Sequence, residues 1–291
     1  MSRMIKMAAL TTSLSGAGAM GDDFSDVAIV DTHIHLYDVT RSEGVPWPPR
    51  SDQALYRPVL PKDFDEVARQ HGITATVIVE ASPWEGDNRW VLDLVRHDPD
   101  RYIGFVGNLP VGTPEFAEQL KELSQDERFV GIRIGTRPRG PDYFTEATWR
   151  DLAMLAEMDQ TLDVLMYDFS LREVAMIAER LPNLRILVNH VAKAQIDGDQ
   201  PDAEWVAGVK LAASRPNVYC KVSGLFQQSH QTPAPTNLDF YASTLDVVTD
   251  AFGEDRLIYG SNWPVTMRAG SYGDYKKIVF EYYGPKGRRF V

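Results

Sequence analysis

The chain has 291 residues, of which 44% are hydrophobic and 24% charged, the proportions of a globular protein rather than a disordered or fibrous one. Its 41 acidic and 30 basic residues give a formal net charge of -11, which disfavours a nucleic-acid partner. A single cysteine, Cys220, excludes an intrachain disulfide framework, and no apolar run reaches the roughly 20 residues that span a bilayer.

Residues 1–26 differ in composition from the remainder of the chain. Arg3 and Lys6 precede a stretch of small residues in which Ala17 and Ala19 have the spacing of a signal-peptide cleavage site, but this stretch is poor in leucine. We interpret 1–26 as a leader, disordered or weakly signal-like, and 27–291 as a single domain. A cytoplasmic location is slightly favoured, and the weak signal leaves export open.

Eight short apolar runs rich in Val and Ile recur along the chain and predict β-strands. They span 28–36, 74–81, 102–109, 129–135, 162–168, 185–192, 218–225 and 256–263.

The segments between these runs have helical spacing. In the first, Asp63 and Glu66 predict a capping box and Gly72 a helix end. Thr145 is expected to cap a later helix, and 171–180 and 202–214 are predicted to be helical as well.

Strands that alternate with helices build parallel βαβ units, and eight units predict a closed (β/α)₈ barrel of the TIM type. An open, doubly wound α/β sheet is the alternative. Such a sheet usually carries a glycine-rich phosphate loop after its first strand, whereas the first strand here ends in His-Ile-His. The sequence therefore favours the barrel.

The first predicted strand has the most informative pattern. Side chains alternate between the two faces of a strand, so Asp31, His33 and His35 are expected to share the face that points into the barrel. Active sites of these barrels lie at the C-terminal ends of the strands. Two imidazoles at that end are typical of metal binding or of proton transfer near neutral pH.

Five motifs occur in order, each at a predicted strand end: VDTHIHLYD at 30–38, VGIR at 130–133, NHVAK at 189–193, NVYCKVSGL at 217–225 and FGEDRLIYGSNWPV at 252–265. With these motifs, residues 27–280 resemble the amidohydrolase-related family, in particular its sugar-lactone and pyrone-dicarboxylate lactonases. The resemblance implies a TIM-like barrel that hydrolyses small molecules.

The resemblance also implies which residues act. His33 and His35 match the histidine pair of the first strand, His190 matches the histidine of the sixth, and Asn262 stands where the family usually has aspartate. The remaining histidines are interpreted as surface residues: His71, His97 and His230.

The motifs depart from those of the metal-dependent members, which have a histidine on the fifth strand. His33, His35 and His190 remain as nitrogen donors without a carboxylate, and an inward Arg133 would repel a divalent cation. We therefore expect no required metal; if zinc or manganese is bound, these three histidines are its ligands.

Asn262 has no basicity near neutral pH, so another residue must accept the proton of the attacking water. His190 is the main candidate, with Asp31 and Asp168 as weaker ones. Asn262 is then expected to orient the water or to donate to the developing oxyanion.

Five further residues near predicted strand ends are candidates for substrate binding: Arg133, Tyr167, Lys193, Lys221 and Trp263. Arg133 has two open interpretations, a clamp on a carboxylate or carbonyl and an ion pair with a neighbouring acid. Barrel-end lysines favour an acidic or polar substrate. Trp47 and Trp84 are interpreted as packing under loops.

The leading hypothesis is a hydrolase that opens a small cyclic ester, such as a sugar lactone. A metal-dependent decarboxylase or amide hydrolase of the same family is one alternative. A barrel that binds a ligand without catalysis is another, because Asn262 replaces the usual base. The expected partner is a small polar or acidic cyclic molecule, with neither nucleic acid nor membrane, and a homo-oligomer is compatible with the sequence.

Overall fold

The computed structural model describes residues 27–137 and 139–287. The predicted leader at 1–26 lies outside the described residues. Within the part that is described, no helix is long and apolar enough to cross a bilayer.

Eight parallel strands form one sheet in the order β1 to β8, each hydrogen-bonded to the next along the chain. Their bounds are β1 Ile29–Ile34, β2 Ile73–Val79, β3 Tyr102–Gly107, β4 Phe129–Ile134, β5 Thr161–Val164, β6 Arg185–Val188, β7 Val218–Val222 and β8 Leu257–Tyr259. Beyond the end of β8, Trp263 forms a parallel bridge with Ile34 and its carbonyl accepts a hydrogen bond of 2.8 Å from the His35 amide. This contact brings the last strand to the first, so the predicted (β/α)₈ barrel is confirmed and the open sheet is excluded.

Helices occupy the connections between the strands. They are α1 Pro61–His71, α2 Gly86–Leu94, α3 Phe116–Leu123, α4 Glu146–Glu157, α5 Leu171–Arg180, α6 His190–Lys193, α7 Ala203–Ala213, α8 Leu225–Gln228, α9 Asp239–Phe252 and α10 Tyr272–Tyr283. The long helices bury apolar side chains such as Phe64, Leu152 and Val174 against the barrel. This packing fixes the strand ends that carry the polar residues.

The helix ends test the sequence signals individually. Thr145 caps α4 by accepting a hydrogen bond of 3.2 Å from the Thr148 amide, and Gly72 ends α1 at a φ of 67°, so both predictions are confirmed. The capping box with Asp63 at its start is wrong. Pro61 takes the first helical position, for which its missing N–H suits it, and Asp63 accepts from the amide of Leu60 at 2.8 Å.

A bulge in β1 changes the predicted alternation. Asp31 pairs with Thr76 and Ile34 with Ile78, so β1 contains one residue more than β2 over this stretch. The Asp31 carboxylate accepts a hydrogen bond of 3.0 Å from the Tyr272 hydroxyl on α10 and another of 2.9 Å from the Ser261 amide. Asp31 therefore does not join the two histidines, contrary to the expected alternation.

Candidate active site

Four of the polar residues singled out in the sequence meet at the C-terminal ends of the strands. The ring centroid of His33 lies 5.1 Å from that of His35 and 4.6 Å from that of His190. The His35 Nε2 atom is 3.1 Å from the Oδ1 of Asn262. All four side chains are buried, from His33 with no exposure to His190 with 9%. The four residues therefore form one buried cluster at the end of the barrel, which we call the histidine pocket.

His190 reaches the pocket from an unusual backbone turn. The sequence predicts that the sixth strand continues to 192, but β6 ends at Val188, and His190–Lys193 form a left-handed turn with φ values of 42° to 55°. Left-handed backbone costs about 1–2 kcal/mol for each residue with a side chain. The buried Val191 anchors the turn, and Gly224 makes room for it, since a Cβ there would lie 2.7 Å from the His190 Nδ1.

Asn262 also has left-handed backbone, with a φ of 59°. Asparagine tolerates this conformation better than most residues. The backbone N–H of Asn262 donates to the His33 carbonyl at 2.8 Å, which ties the segment after β8 to β1. At Gly260, a Cβ would lie 2.7 Å from the His33 Cβ, so this position is glycine because β1 and β8 approach closely.

The protonation of His35 follows from its partners. Its Nδ1 lies 2.9 Å from the Val79 carbonyl oxygen, which can only accept, so Nδ1 carries the proton. Burial, together with the nearby Arg133 guanidinium, lowers the pKa of His35 to about 3. The ring is therefore neutral near pH 7, and its Nε2 presents a lone pair.

His190 has the opposite arrangement. The Ser223 hydroxyl oxygen accepts from the backbone N–H of His190 at 3.2 Å and lies 2.9 Å from its Nδ1. Ser223 is fully buried and its hydroxyl has no other acceptor among the described residues, so its proton is satisfied by donation to Nδ1. Burial, followed by the charge of Arg133, lowers the pKa of His190 well below its usual value. His190 is therefore neutral and carries its proton on Nε2.

His33 is the most enclosed of the three rings. Neither ring nitrogen has a hydrogen-bond partner among residues 27–137 and 139–287, although such groups are almost always paired when buried. Burial, with the neighbouring His190 and Lys221, lowers the pKa of His33 well below its usual value. A buried, neutral and unpartnered imidazole is a group that a bound molecule can satisfy.

Two buried ion pairs surround the rings. Arg133 donates from Nε to the Glu80 carboxylate and from a terminal nitrogen to the Glu80 carbonyl, both at 2.7 Å. Of the two interpretations of Arg133, the structure has the ion pair. Lys221 donates to Asp163 at 2.6 Å and is fully buried, so its ammonium group is already paired inside the barrel.

The remaining substrate-binding candidates lie at different depths. Tyr167 is 67% exposed, and the Lys193 ammonium group lies 4.9 Å from the centre of its ring, so these two residues form an exposed pair at the rim. Trp263 is only 1% exposed and packs on Phe64, so it does not line the mouth as expected. Trp47, interpreted from the sequence as packing, has its ring centroid 6.0 Å from that of His35.

The other candidates lie apart from the histidine pocket. Asp168 is exposed and its carbonyl accepts from Arg139, so it is not placed to act as a base. The His71 ring stacks on Tyr272 at 5.0 Å, and His97 and His230 are exposed.

Comparison with known proteins agrees with the barrel fold. Residues 30–284 match the sequence model of the amidohydrolase family. The chain belongs to this family. It is 32% identical to an L-fucono-1,5-lactonase of Burkholderia ambifaria over 84% of this chain and 83% of the relative, and 27% identical to an L-fucono-1,5-lactonase of Burkholderia multivorans over 86% of each. A crystal structure of a Burkholderia multivorans amidohydrolase with bound zinc is 25% identical, with a TM-score of 0.78 over 89% of this chain and 92% of the other.

The zinc in that amidohydrolase makes a divalent ion compatible with the family, so the donors of this chain need to be tested against one. The free nitrogens of His33 favour an ion. However, no group of three or more His, Cys, Asp or Glu side chains in the described part of the chain is arranged to hold a metal. An amide replaces the usual carboxylate at Asn262, and Arg133 and Lys221 place positive charge beside the rings. The residues present therefore do not fit a resident divalent metal.

Three residues of this amidohydrolase site were not singled out in the sequence: Glu80, Ser223 and Gln227. Glu80 directly follows β2 and Ser223 directly follows β7, so a search for polar residues at every predicted strand end could have found them. Gln227 lies on α8, and no local pattern indicates its contact with Asn262.

Proposed function

We propose that this amidohydrolase opens the ring of a small cyclic ester, a lactone with polar or acidic substituents, by adding water to its carbonyl carbon. One observation carries the proposal: His35 and His190 present opposite protonation patterns to the same pocket, beside His33 and Asn262. The similarity to relatives named L-fucono-1,5-lactonases supports a sugar lactone as the substrate class.

Ester hydrolysis needs a hydrogen-bond donor for the carbonyl oxygen and an acceptor for the proton of water. We assign the donor to the Nε2–H of His190, which stabilises the oxyanion as it develops. We assign the acceptor to the lone pair of His35 rather than to His190, the candidate base in the sequence, because Ser223 occupies the Nδ1 of His190. The unpartnered nitrogens of His33 supply a further contact to the reacting ester.

We propose that the exposed pair at the rim, Lys193 and Tyr167, selects polar substrates. Lys193 and Tyr167 are both exposed at the end of the barrel where the strands terminate. An ammonium group there attracts hydroxyl or carboxylate substituents of an incoming ring. We propose that Arg133 acts indirectly, by supplying positive charge beside the histidines while it remains paired with Glu80.

We further propose that no metal is required for the reaction. The donor set does not fit a divalent ion, and the neutral imidazoles already supply one acceptor and one donor.

Turnover of L-fucono-1,5-lactone and a panel of five- and six-membered sugar lactones tests both proposals. Proton release is followed near pH 7 with a pH indicator, and the spontaneous rate is subtracted. The purified protein is assayed before and after chelation, and its bound metal is measured. We expect saturable turnover that survives chelation. No turnover above background on any lactone contradicts the hydrolase, and activity abolished by chelation and restored by zinc or manganese contradicts the metal-free reaction.

A further inference from the structure

The orientation of the Asn262 amide is determined by a chain of hydrogen bonds that ends on a carbonyl group. Gln227 donates from Nε2 to the Val265 carbonyl oxygen at 3.0 Å, and a carbonyl oxygen can only accept. The Oε1 of Gln227 must then face Asn262, which donates to it from Nδ2 at 3.2 Å. The Oδ1 of Asn262 is therefore the atom that faces His35.

The opposite end of the chain also terminates on a carbonyl group. The Nδ1–H of His35 donates to the Val79 carbonyl oxygen, so the Nε2 of the neutral ring presents a lone pair to Asn262. Two acceptors thus face each other across 3.1 Å. Between Val79 and Val265 there are four contacts, but neutral His35, Asn262 and Gln227 together supply only three donor nitrogens, one for each of the other three contacts. The contact between His35 and Asn262 lacks a proton.

We propose that this pair of acceptors, His35 Nε2 and Asn262 Oδ1, holds the attacking water with one O–H directed at each, and that Gln227 is the positioning residue that keeps Oδ1 in place. The inference rests on the lactone hydrolysis proposed above. It accounts for an asparagine at a strand end where a base is expected, because the amide keeps the acceptor function while the proton passes to histidine.

The proton balance of the step follows from the same chain. As the water oxygen bonds to the carbonyl carbon, its O–H bond towards His35 breaks and the proton moves to Nε2. The imidazolium now donates to Asn262 Oδ1, so the four contacts have four donors. The ring C–O bond then breaks, and the departing alkoxide takes the proton from His35. One water is consumed, one hydroxy acid is formed, and His35 returns to its neutral state.

A double-mutant cycle separates this role of Gln227 from a structural one. Gln227→Met removes the amide at nearly constant length and lets the Asn262 amide rotate, so that Nδ2 blocks the lone pair of His35. We expect kcat to fall about 10- to 100-fold, with KM changed by less than about threefold. In an Asn262→Asp background the same change is expected to lower kcat by less than about threefold, because a carboxylate presents an oxygen in either orientation.

The matched control is Gln228→Met, on the same short helix, whose side chain has no hydrogen-bond partner among the described residues. It is expected to leave kcat unchanged. Gln227→Ala, which cannot overpack the site, is run through the same cycle, and thermal melting is recorded for every variant.

The outcomes distinguish a failure of the proposed role of Gln227 from a failure of the proposed lactone hydrolase. Equal losses of kcat from Gln227→Met in both backgrounds, or no loss in either, overturn the role of Gln227 while the lactone hydrolase stands. Wild-type turnover that follows bound zinc or manganese also overturns the water site, since the lone pair of His35 would then hold the cation and could not accept the proton of water. A wild-type protein without lactone turnover overturns both the water site and the lactone hydrolase.

Discussion

The two sides of the histidine pocket use the same residue type for opposite purposes. On the β1 side, the Val79 carbonyl holds the proton of His35 on Nδ1 and leaves Nε2 as an acceptor. On the β6 side, the Ser223 hydroxyl occupies the Nδ1 of His190 and leaves a proton on Nε2. A carbonyl group and a hydroxyl group thus decide which histidine accepts and which donates. The role of a buried imidazole is set by the partner of its inner nitrogen.

The largest expected effect comes from removing the acceptor side. His35→Phe keeps a ring in the buried position but has no lone pair, so we expect kcat/KM for lactone hydrolysis to fall by about 10²–10⁴-fold. Steady-state kinetics measure this loss. His71→Phe is the matched control, because the His71 ring stacks on Tyr272 outside the pocket and phenylalanine preserves that stacking. A His35→Phe variant with wild-type kcat would assign the acceptor to another residue.

The histidines on both sides of the pocket have lowered pKa values, and stability measurements can test this property. Burial places the pKa values of His33, His35 and His190 below the ordinary value of 6.5, so the unfolded chain binds more protons than the folded one as the pH decreases below that value. The stability from the neutral rings is fully present above about pH 6.5 and is lost as the pH falls towards their folded pKa values. We expect the three histidines to lower the free energy of unfolding by about 3–4 kcal/mol between pH 7 and 5.5.

Urea unfolding at a series of pH values measures how the free energy of unfolding changes with pH. The buried carboxyl groups of Asp31 and Glu80 have raised pKa values and act in the opposite direction, so the histidine contribution is taken as a difference between variants. His35→Gln and His190→Gln are each expected to remove about a third of it. Identical pH slopes for wild type and both variants would show that these rings do not remain neutral on folding.

A substitution on the donor side of the pocket, where His190 lies, is expected to lower activity less than His35→Phe does. Ser223→Ala removes the hydroxyl that fixes the tautomer of His190, so we expect kcat to fall about tenfold and ¹⁵N shifts to show a mixture of the neutral Nδ1–H and Nε2–H tautomers of that ring. Ser82→Ala is the matched control, since Ser82 is also buried at a strand end but donates to Asp87. Both variants should lose about 1–3 kcal/mol of stability. Equal kcat values for the two variants would reduce Ser223 to a structural role.

The smallest effect on lactone hydrolysis is expected at the rim of the barrel, outside the histidine pocket. Lys193→Met removes an exposed charge beside Tyr167, so we expect KM to rise by less than about threefold for a polar lactone, with kcat unchanged. Lys210→Met, on the exposed surface of α7, is the control for loss of charge elsewhere. A loss of kcat in Lys193→Met alone would move this residue from the rim into the reacting site.

The order of elements and the location of the site follow from local sequence. Each strand and helix shows its period within a single segment, and parallel strands bring their C-terminal ends to one rim, so His33 and His35 were expected to lie there. The choice of His190 and Asn262, like the lactone hypothesis, came from a different source, the resemblance of five motifs to a family.

The chemical roles within the pocket required the tertiary structure. The proton of His35 depends on Val79, 44 positions away, and that of His190 on Ser223, 33 positions away. The same holds for Lys221, which is paired with Asp163, and for Trp263, which is buried while the Trp47 ring lies near that of His35. A hydrogen bond is decided by distances of about 3 Å between atoms that only the closed barrel brings together, and no local pattern contains such distances.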